Sequence, residues 1–281
     1  MQPEFLRAPN VIAWLDGIVP AWTALEFDSF RKLRQKPEEP DCALQLSETV
    51  TSPMARNALI FLSRLQHGAK LTATRNLQRA FVASMLETLE WPGFDPEHAF
   101  RLHEVINEPD YLPLHALRIF CDRAKLVRVS KGELRLTKVA QAIVETNNIG
   151  KLNRLLFIGC FWNTNLAYFD GYPLAGWPEG DIGLSLWSLS VAATTWQTPS
   201  TLARLCTIPV NGILDGPRDL GGSIFEARLF RQLCWFDLLD VETIPDEERQ
   251  FVKKHRFRTS PRFNDFVAFN VDIERPSSAV H

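Results

Sequence analysis

Basic side chains cluster between residues 113 and 147 of this 281-residue chain. The stretch holds seven lysines or arginines and three acids, so its formal charge is +4. Lysines and arginines that share a surface can contact the phosphates of a nucleic acid. A charge run is equally typical of an ordinary solvated surface. The seven cations are Arg118, Arg123, Lys125, Arg128, Lys131, Arg135 and Lys138.

A helix, a hairpin and a second helix must position these cations. Apolar residues recur every three or four positions from Leu114 to Ala124, which predicts a helix. Residues 126–129 and 134–136 alternate as short strands, and Ser-Lys-Gly at 130–132 has the chemistry of a tight turn. Thr137 can cap a following helix. The pattern predicts a helix, a β-hairpin and a helix in that order.

The segment AKLVRVSKGELRLTKVAQAI at residues 124–143 resembles the strand, wing and strand of winged-helix proteins. The resemblance implies that the preceding helix enters the major groove of DNA and that the wing reaches the backbone or the minor groove. It places Arg118, Asp122 and Arg123 on the helix and Lys131 and Arg135 on the wing.

Residues 222–269 resemble a weaker copy of this arrangement. A helical pattern at 224–233 precedes an extended run at 236–241 and a second strand at 253–259, and a helix is predicted around Phe263. The loop between the strands is longer and carries the acidic sequence IPDEER. The second strand supplies further candidate phosphate contacts, namely Lys253, Lys254, Arg256 and Arg258.

A looser similarity involves three segments between about residues 68 and 170. GAKLTATRNLQRAFV, RLHEVINEPDYLPLHALRIF and LRLTKVAQAI together are similar to a group of bacterial proteins associated with plasmids and transposable elements. In those proteins the block precedes a helical segment. The similarity carries over no catalytic residue.

Composition bounds the fold class and the compartment. With 46% apolar residues the chain can build a sizeable core, but its net charge of −2 and pI near 6.3 lack the basic character of many nucleic-acid binders. Any basic surface is therefore local. The N-terminus lacks the pattern of a secretory signal, and the most apolar run, residues 155–162, is far shorter than the roughly twenty residues of a membrane span. We expect a cytoplasmic protein with no membrane partner.

The fold expected from these patterns is mainly α with small β-hairpins, an α+β protein in which one winged-helix module and a possible second one are joined by helices. Residues 151–172 are apolar on most faces and predict one buried scaffold helix. The expected divisions are an N-terminal helical segment at 1–67, a winged-helix-like module at 68–148, a helical scaffold at 149–210, a second module at 211–271 and a tail at 272–281.

Other chemistry has weaker signals. His98, His103, Glu104 and His115 lie near one another in sequence, but the five-residue step between the first two does not match the spacing of helical metal ligands. Gly221-Gly222-Ser223 could bind an anion at a helix start but is more simply a loop and a cap. The five cysteines form no CxxC pair and are typical of buried reduced thiols. We therefore expect no metal, no cofactor and no enzyme.

Two main hypotheses remain, beside a third and weaker one of a catalytic protein of unfamiliar type. One is a DNA-binding or regulatory protein that contacts double-stranded DNA through the basic helix and wing. The other is a scaffold that binds another protein through its aromatic surface. The sequence leaves the oligomeric state open, and a homodimer is compatible with it.

Overall fold

The structure, a computed structural model, describes residues 3–94, 105–217, 219–245 and 253–274. The chain forms two compact units. The first comprises Met1–Leu46, Asn165–Cys234 and Leu238–His281, and the second comprises Ser47–Thr164 and Trp235–Asp237. Within the described ranges the architecture is mainly helical with small antiparallel sheets of two or three strands, as the sequence predicts.

The α-helices are α1 (Pro9–Leu15), α2 (Phe27–Leu33), α3 (Pro53–Arg64), α4 (Arg79–Leu86), α5 (Leu112–Arg123), α6 (Lys138–Thr146), α7 (Ile149–Phe161), α8 (Ile182–Ala192), α9 (Pro199–Cys206), α10 (Asn211–Leu214), α11 (Leu220–Phe225), α12 (Arg231–Trp235) and α13 (Phe263–Phe266). The strands are β1 (Leu44–Leu46), β2 (Ala69–Lys70), β3 (Val127–Ser130), β4 (Glu133–Leu136), β5 (Leu239–Pro245), β6 (Lys253–Thr259) and β7 (Val267–Phe269). Short 3-10 turns are Glu4–Arg7, Ala21–Ala24, Leu65–His67, Glu108–Asp110, Leu166–Phe169 and Glu179–Asp181, and Glu226–Phe230 is a π-helical turn.

In the second unit α3, α5 and α7 pack against one another, and α5 contacts β3 of a three-stranded sheet of order β2-β4-β3. Ser52 begins α3 because its Oγ accepts a hydrogen bond from the Ala55 amide at 3.1 Å, and the same hydroxyl donates to Asn153 Oδ1 of α7 at 2.5 Å. At Gly159 of α7 a Cβ atom would lie 3.0 Å from the backbone of α5. The close approach of these two helices therefore requires a small residue at that position.

The prediction of one scaffold helix over residues 151–172 is wrong about its length. α7 ends at Phe161, and a 3-10 turn follows at Leu166–Phe169. Polar side chains between them bind nearby backbone, since Thr164 Oγ1 donates to the Gly159 carbonyl at 2.8 Å and Asn165 Oδ1 accepts from the Ala167 amide at 3.1 Å. Such bonds offer the chain an alternative to continuing the helix. Apolar residues at Phe100, Leu102, Val105 and Ile106 predict a further short helix in the sequence, and residues 100–104 of it lie outside the described residues.

The first unit is held by α8, which is buried along most of its length, and by a buried arginine. Arg228 lies in the π-helical turn and its side chain is 0% exposed. Its guanidinium donates to both carboxylate oxygens of Asp170, at 2.5 and 3.1 Å, and to the carbonyls of Leu174 and Trp177 at 2.5 and 2.6 Å. Several of the five N–H donors of this planar guanidinium thus form hydrogen bonds to the loop after residue 170 and stabilise it.

The C-terminal part of the first unit contains the second predicted hairpin, with β5 paired to β6. The helix expected around Phe263 is a four-residue turn, because Val267 starts β7, which pairs with β1. The acidic tip expected between the strands lies largely at residues 246–249, outside the described residues.

The five cysteines form no disulfide. Cys121, Cys160 and Cys206 are completely buried in helices, and burial raises the pKa of each of these thiols. Every helix within the residues that the structure describes is too short or too polar to span a lipid bilayer.

Candidate nucleic-acid interface

A tight hairpin forms the centre of the predicted site. β3 and β4 pair with Val127 opposite Leu136 and Val129 opposite Leu134. The turn residues Lys131 and Gly132 both have positive φ, 51° and 76°. Two successive left-handed residues are typical of a type I′ turn, whose twist matches that of the strands. The turn therefore holds Lys131 at the tip of a rigid hairpin.

The two faces of this sheet differ in chemistry. Val127, Leu134 and Leu136 are buried and point towards the helices. Residues one position along each strand point to the opposite face. Arg128 and Arg135 are direct cross-strand partners on that solvent face, and both are exposed. Two like charges directly opposite each other destabilise a sheet unless an anion or an acid intervenes.

The connections on either side of the hairpin add two lysines. Lys125 follows α5 in a left-handed conformation with φ 56°, and its carbonyl accepts a hydrogen bond from Thr137 Oγ1 at 2.9 Å. Thr137 also caps α6, because its Oγ1 accepts from the Ala140 amide at 3.4 Å. Lys138 is the first residue of that helix. The backbones carrying Lys125 and Lys138 are thereby joined at the base of the hairpin.

Most cations of this surface are not neutralised by acids. Arg135 pairs with Glu133, whose Oε2 lies 2.6 Å from its Nη2. No ion pair with a residue in the described part of the chain forms at the other exposed cations, which are Arg123, Lys125, Arg128, Lys131 and Lys138. We call these six residues the wing surface: Arg123, Lys125, Arg128, Lys131, Arg135 and Lys138.

Arg118 has a different environment from the one predicted. Its Nη1 lies 2.7 and 2.8 Å from the two carboxylate oxygens of Glu108, and its Nη2 donates to the Arg75 carbonyl at 2.6 Å. Glu108 is 0% exposed and also accepts from the Leu77 amide at 2.6 Å and contacts His115 Nδ1 at 3.0 Å. Arg118 thus connects α5 to the loop before α4.

The ionisation of Glu108 follows from these contacts. Burial opposes its charged form, but hydrogen bonds from His115, Arg118 and the Leu77 amide outweigh burial and hold the pKa of Glu108 below its ordinary value. We call Glu108, His115 and Arg118 the buried ion cluster. In the sequence, Asn107-Glu108-Pro109-Asp110 is typical of a turn, and that pattern does not predict a buried role for Glu108. The sequence signals that could have indicated this role are the Asn107 and Asp110 capping pair beside Glu108, and His115 and Arg118, which follow seven and ten residues later.

The cluster limits what α5 presents to solvent. His115 and Arg118 are partly buried, and only Asp122 and Arg123 of this helix are exposed. Reading base edges in a groove requires several exposed polar side chains along one helix face. The helix predicted to enter the major groove therefore offers few groups for base readout.

The second predicted basic run is balanced by acids on the neighbouring strand. Arg256 lies opposite Glu242 and pairs with it at 2.9 Å, and Arg258 lies opposite Asp240 and pairs with it at 3.0 Å. The Arg258 guanidinium also lies 4.5 Å from the centre of the Trp196 ring. Lys254 is exposed, whereas for Lys253 only the backbone is described. The two hairpins thus have similar cations but different charge balance.

Metal ligation has no support in the described part of the chain, where no group of three or more His, Cys, Asp or Glu residues could hold an ion. Three of the four residues considered for a metal, His98, His103 and Glu104, lie outside the described residues. His115 belongs to the buried ion cluster.

Comparison with known families gives one match. Residues 50–149 match the family model described as Y4jL N-terminal domain. The matched range contains the wing surface and the buried ion cluster, and the match agrees with the resemblance to plasmid-associated bacterial proteins. Searches of curated proteins and of solved structures found no match to the chain.

Proposed function

We propose that the second unit is a winged-helix module that binds the phosphate backbone of double-stranded DNA through its wing surface. The order of its elements supports the proposal. Helix α3, strand β2, helices α4 and α5 and the β3–β4 hairpin follow one another, and the last strand lies in the middle of the sheet. A helical core with a projecting hairpin is the arrangement of winged-helix proteins.

The observation that carries the proposal is the set of exposed cations without acid partners on one hairpin and its base. Five cations in the described structure lack an ion pair there, while the cross-strand arginines of the other hairpin are each paired with an acid. Unpaired like charges repel one another, and an anionic backbone removes that repulsion and releases its counterions on binding. A series of phosphates is an anion that suits several unpaired cations.

The proposed mode is backbone contact more than base readout. Arg128 and Lys131 of the hairpin and Lys125 and Lys138 at its base contact phosphates, which position a protein without reading sequence, whereas Arg135 stays paired with Glu133. Arg123, at the end of α5, is a further phosphate contact. Arg118 acts as a positioning residue through Glu108. The proposal assigns no catalytic step and no cofactor.

A matched pair of double variants tests the proposal. R128Q/K131Q removes two charges from the wing surface, and K254Q/R256Q removes two charges from the other hairpin. Binding to a fluorescein-labelled duplex is measured by anisotropy at 0.1 M salt. At this salt concentration each phosphate contact raises the logarithm of the binding constant by about 0.9. Losing two contacts should therefore make R128Q/K131Q bind about 60-fold more weakly than wild type. K254Q/R256Q should bind as wild type does. Equal losses in both variants would contradict the proposed surface.

A protein-binding scaffold is the second candidate. The acidic pI and the exposed aromatic rings of the first unit favour it, with Phe27 81% and Tyr168 63% exposed. Absence of duplex binding at 0.05 M salt, together with concentration-dependent self-association in sedimentation velocity, would favour this function over DNA binding.

A further inference from the structure

The loop between β2 and α4 carries cations that do not belong to the wing surface. From residue 49 to residue 86 the sequence contains five lysines or arginines and no aspartate or glutamate. Two of these cations are Arg75, in the loop, and Arg79, the first residue of α4, and both are exposed. Neither forms an ion pair with a residue in the described part of the chain. Their charges are therefore open to an anion from another molecule.

The acid nearest to Arg79 in the sequence of the following loop is engaged elsewhere. Arg79 Nε donates to Asn107 Oδ1 at 3.0 Å. Asp110 Oδ2 accepts from the Asn107 backbone amide and from its Nδ2, both at 2.8 Å. The amide side chain of Asn107 thus binds the arginine with its oxygen and the carboxylate with its nitrogen. The arginine keeps its charge without a carboxylate partner in the described structure.

The loop begins beside the tip of the wing. Strand β2 pairs with β4, and the Leu71 amide donates to the carbonyl of Gly132 in the wing turn at 2.9 Å. The following residues close a turn of their own, because the Thr72 amide donates to the Asn76 carbonyl at 2.8 Å and the Arg75 amide donates to the Thr72 carbonyl at 2.9 Å. The loop is therefore an ordered turn that continues from the wing.

The buried ion cluster holds the other side of this turn. Arg118 Nη2 donates to the Arg75 carbonyl at 2.6 Å, and Glu108 Oε2 accepts from the Leu77 amide at 2.6 Å. These bonds fix the backbone on both sides of residue 76. The Arg75 side chain itself makes no hydrogen bond or ion pair with the described residues. The cluster thus presents an exposed guanidinium on a fixed backbone.

The backbone conformation of Arg75 indicates a use for its side chain outside the fold. Its φ is 63°, in the left-handed region that favours glycine and asparagine, and a longer side chain there costs free energy. Lys125 and Lys131 of the wing surface have the same conformation, with φ of 56° and 51°. Non-glycine residues in this region cluster at functional sites. Arg75 therefore shares with these two lysines both an exposed charge and an unfavourable backbone.

We propose that the β2–α4 loop is a second phosphate-binding segment, in which Arg75 and Arg79 contact the DNA backbone next to the phosphates bound by the wing surface. This segment extends the DNA contact of the proposed function, on which it depends. Thr72, Thr74 and Gln78 line, together with Arg79, an open cavity of about 610 Å³. Their hydroxyl and amide groups are donors that commonly bind phosphate oxygens.

The matched double variants R75Q/R79Q and R56Q/R64Q test the inference. Both remove two exposed arginines from the same acid-free segment, but Arg56 and Arg64 lie on α3. Anisotropy of a fluorescein-labelled duplex gives the affinities. Losing two phosphate contacts should make R75Q/R79Q bind about 60-fold more weakly than wild type at about 0.1 M salt, and should reduce the salt slope by about 1.8. R56Q/R64Q should bind as wild type does.

The single variant R75N separates a DNA contact from a role in the fold. Asparagine adopts the left-handed conformation more readily than arginine, so R75N should unfold at the same urea concentration as wild type or at a higher one. Its duplex affinity should fall about eightfold, because one phosphate contact is lost. A side chain that serves the fold would instead lower the urea midpoint, and that result would overturn the inference.

The outcomes distinguish the second segment from the proposed function. Absence of duplex binding by wild type, or unchanged affinity in R128Q/K131Q, would contradict the proposed function and the second segment with it. Duplex binding that R128Q/K131Q weakens and R75Q/R79Q leaves unchanged would overturn the second segment alone. Equal losses in R75Q/R79Q and R56Q/R64Q would also overturn it, because the total charge of the unit would then determine affinity. Circular dichroism establishes that each variant is folded.

Discussion

Replacing Arg118 by Met should destabilise the second unit strongly, because it leaves the Glu108 carboxylate buried without its main cation. Glu108 is 0% exposed and the Arg118 side chain is 16% exposed, so solvent can replace little of the lost interaction. Breaking a buried ion pair by removing one partner costs about 3–5 kcal/mol. Because Arg118 retains some exposure, we expect a loss of about 3 kcal/mol in the free energy of unfolding, at the lower end of that range.

Arg123→Met is the matched control, since Arg123 is exposed on the same helix and has no ion pair with the described residues. Its replacement should change the free energy of unfolding by less than about 0.5 kcal/mol. Urea unfolding followed by circular dichroism gives the stabilities. Hydrogen exchange with mass spectrometry, at peptides containing Leu77 and residues 112–123, reports the second unit alone and should show faster exchange in R118M.

The double variant E108L/R118L separates the ion pair from packing. Removing both charges avoids an orphaned buried group, so the double variant should be more stable than R118M. Equal stability of R118M and R123M, or unchanged exchange at Leu77, would refute the positioning role of Arg118. With either result, Arg118 would count among the solvent-exposed cations that can contact DNA.

Three further predictions concern the rest of the fold. The folded-state pKa of Glu108 is lowered, so the stabilisation that its carboxylate provides is present above the ordinary pKa of 4.5 and is lost as the pH falls through the folded-state pKa. In urea titrations, the difference in free energy of unfolding between wild type and E108Q should therefore narrow between pH 6 and pH 3. Arg228→Lys should destabilise the first unit by about 3 kcal/mol or more in thermal unfolding, because an ammonium cannot reproduce the contacts to Asp170 and two carbonyls. Gly132→Ala should cost about 1 kcal/mol in urea unfolding from its positive φ alone, since a Cβ there meets nothing within 4 Å.

Local patterns predicted the hairpin and the helices beside it well. Helix α5, the strands β3 and β4 and the cap at Thr137 lie within two residues of the positions expected from spacing and turn chemistry. Helix α9 begins with a cap of the same local kind, because Thr198 Oγ1 accepts a hydrogen bond from the Thr201 amide at 3.2 Å. These features depend on neighbouring residues, so the sequence alone contains their signals.

Features set by distant residues were not predictable in this way. The pairing of β1 with β7 joins residues more than two hundred positions apart. The burial of Arg118 depends on Glu108 and on the loop before α4, and the neutralisation of Arg256 depends on Glu242 of a neighbouring strand. Charge counts along the sequence treat all these cations alike. Only the tertiary structure distinguishes paired cations from those of the wing surface.

The salt dependence of duplex binding by the wild-type chain tests the central proposal most directly. Five wing-surface cations lack an acid partner in the described structure. If each contacts one phosphate, the logarithm of the binding constant should fall against the logarithm of the salt concentration with a slope of about −4.5. This slope corresponds to about a 500-fold loss of affinity between about 0.05 and 0.2 M salt. A slope at least this steep, reduced by about 1.8 in R128Q/K131Q, is the expected result. A flat salt dependence, or no binding at 0.05 M salt, would contradict DNA binding by this surface.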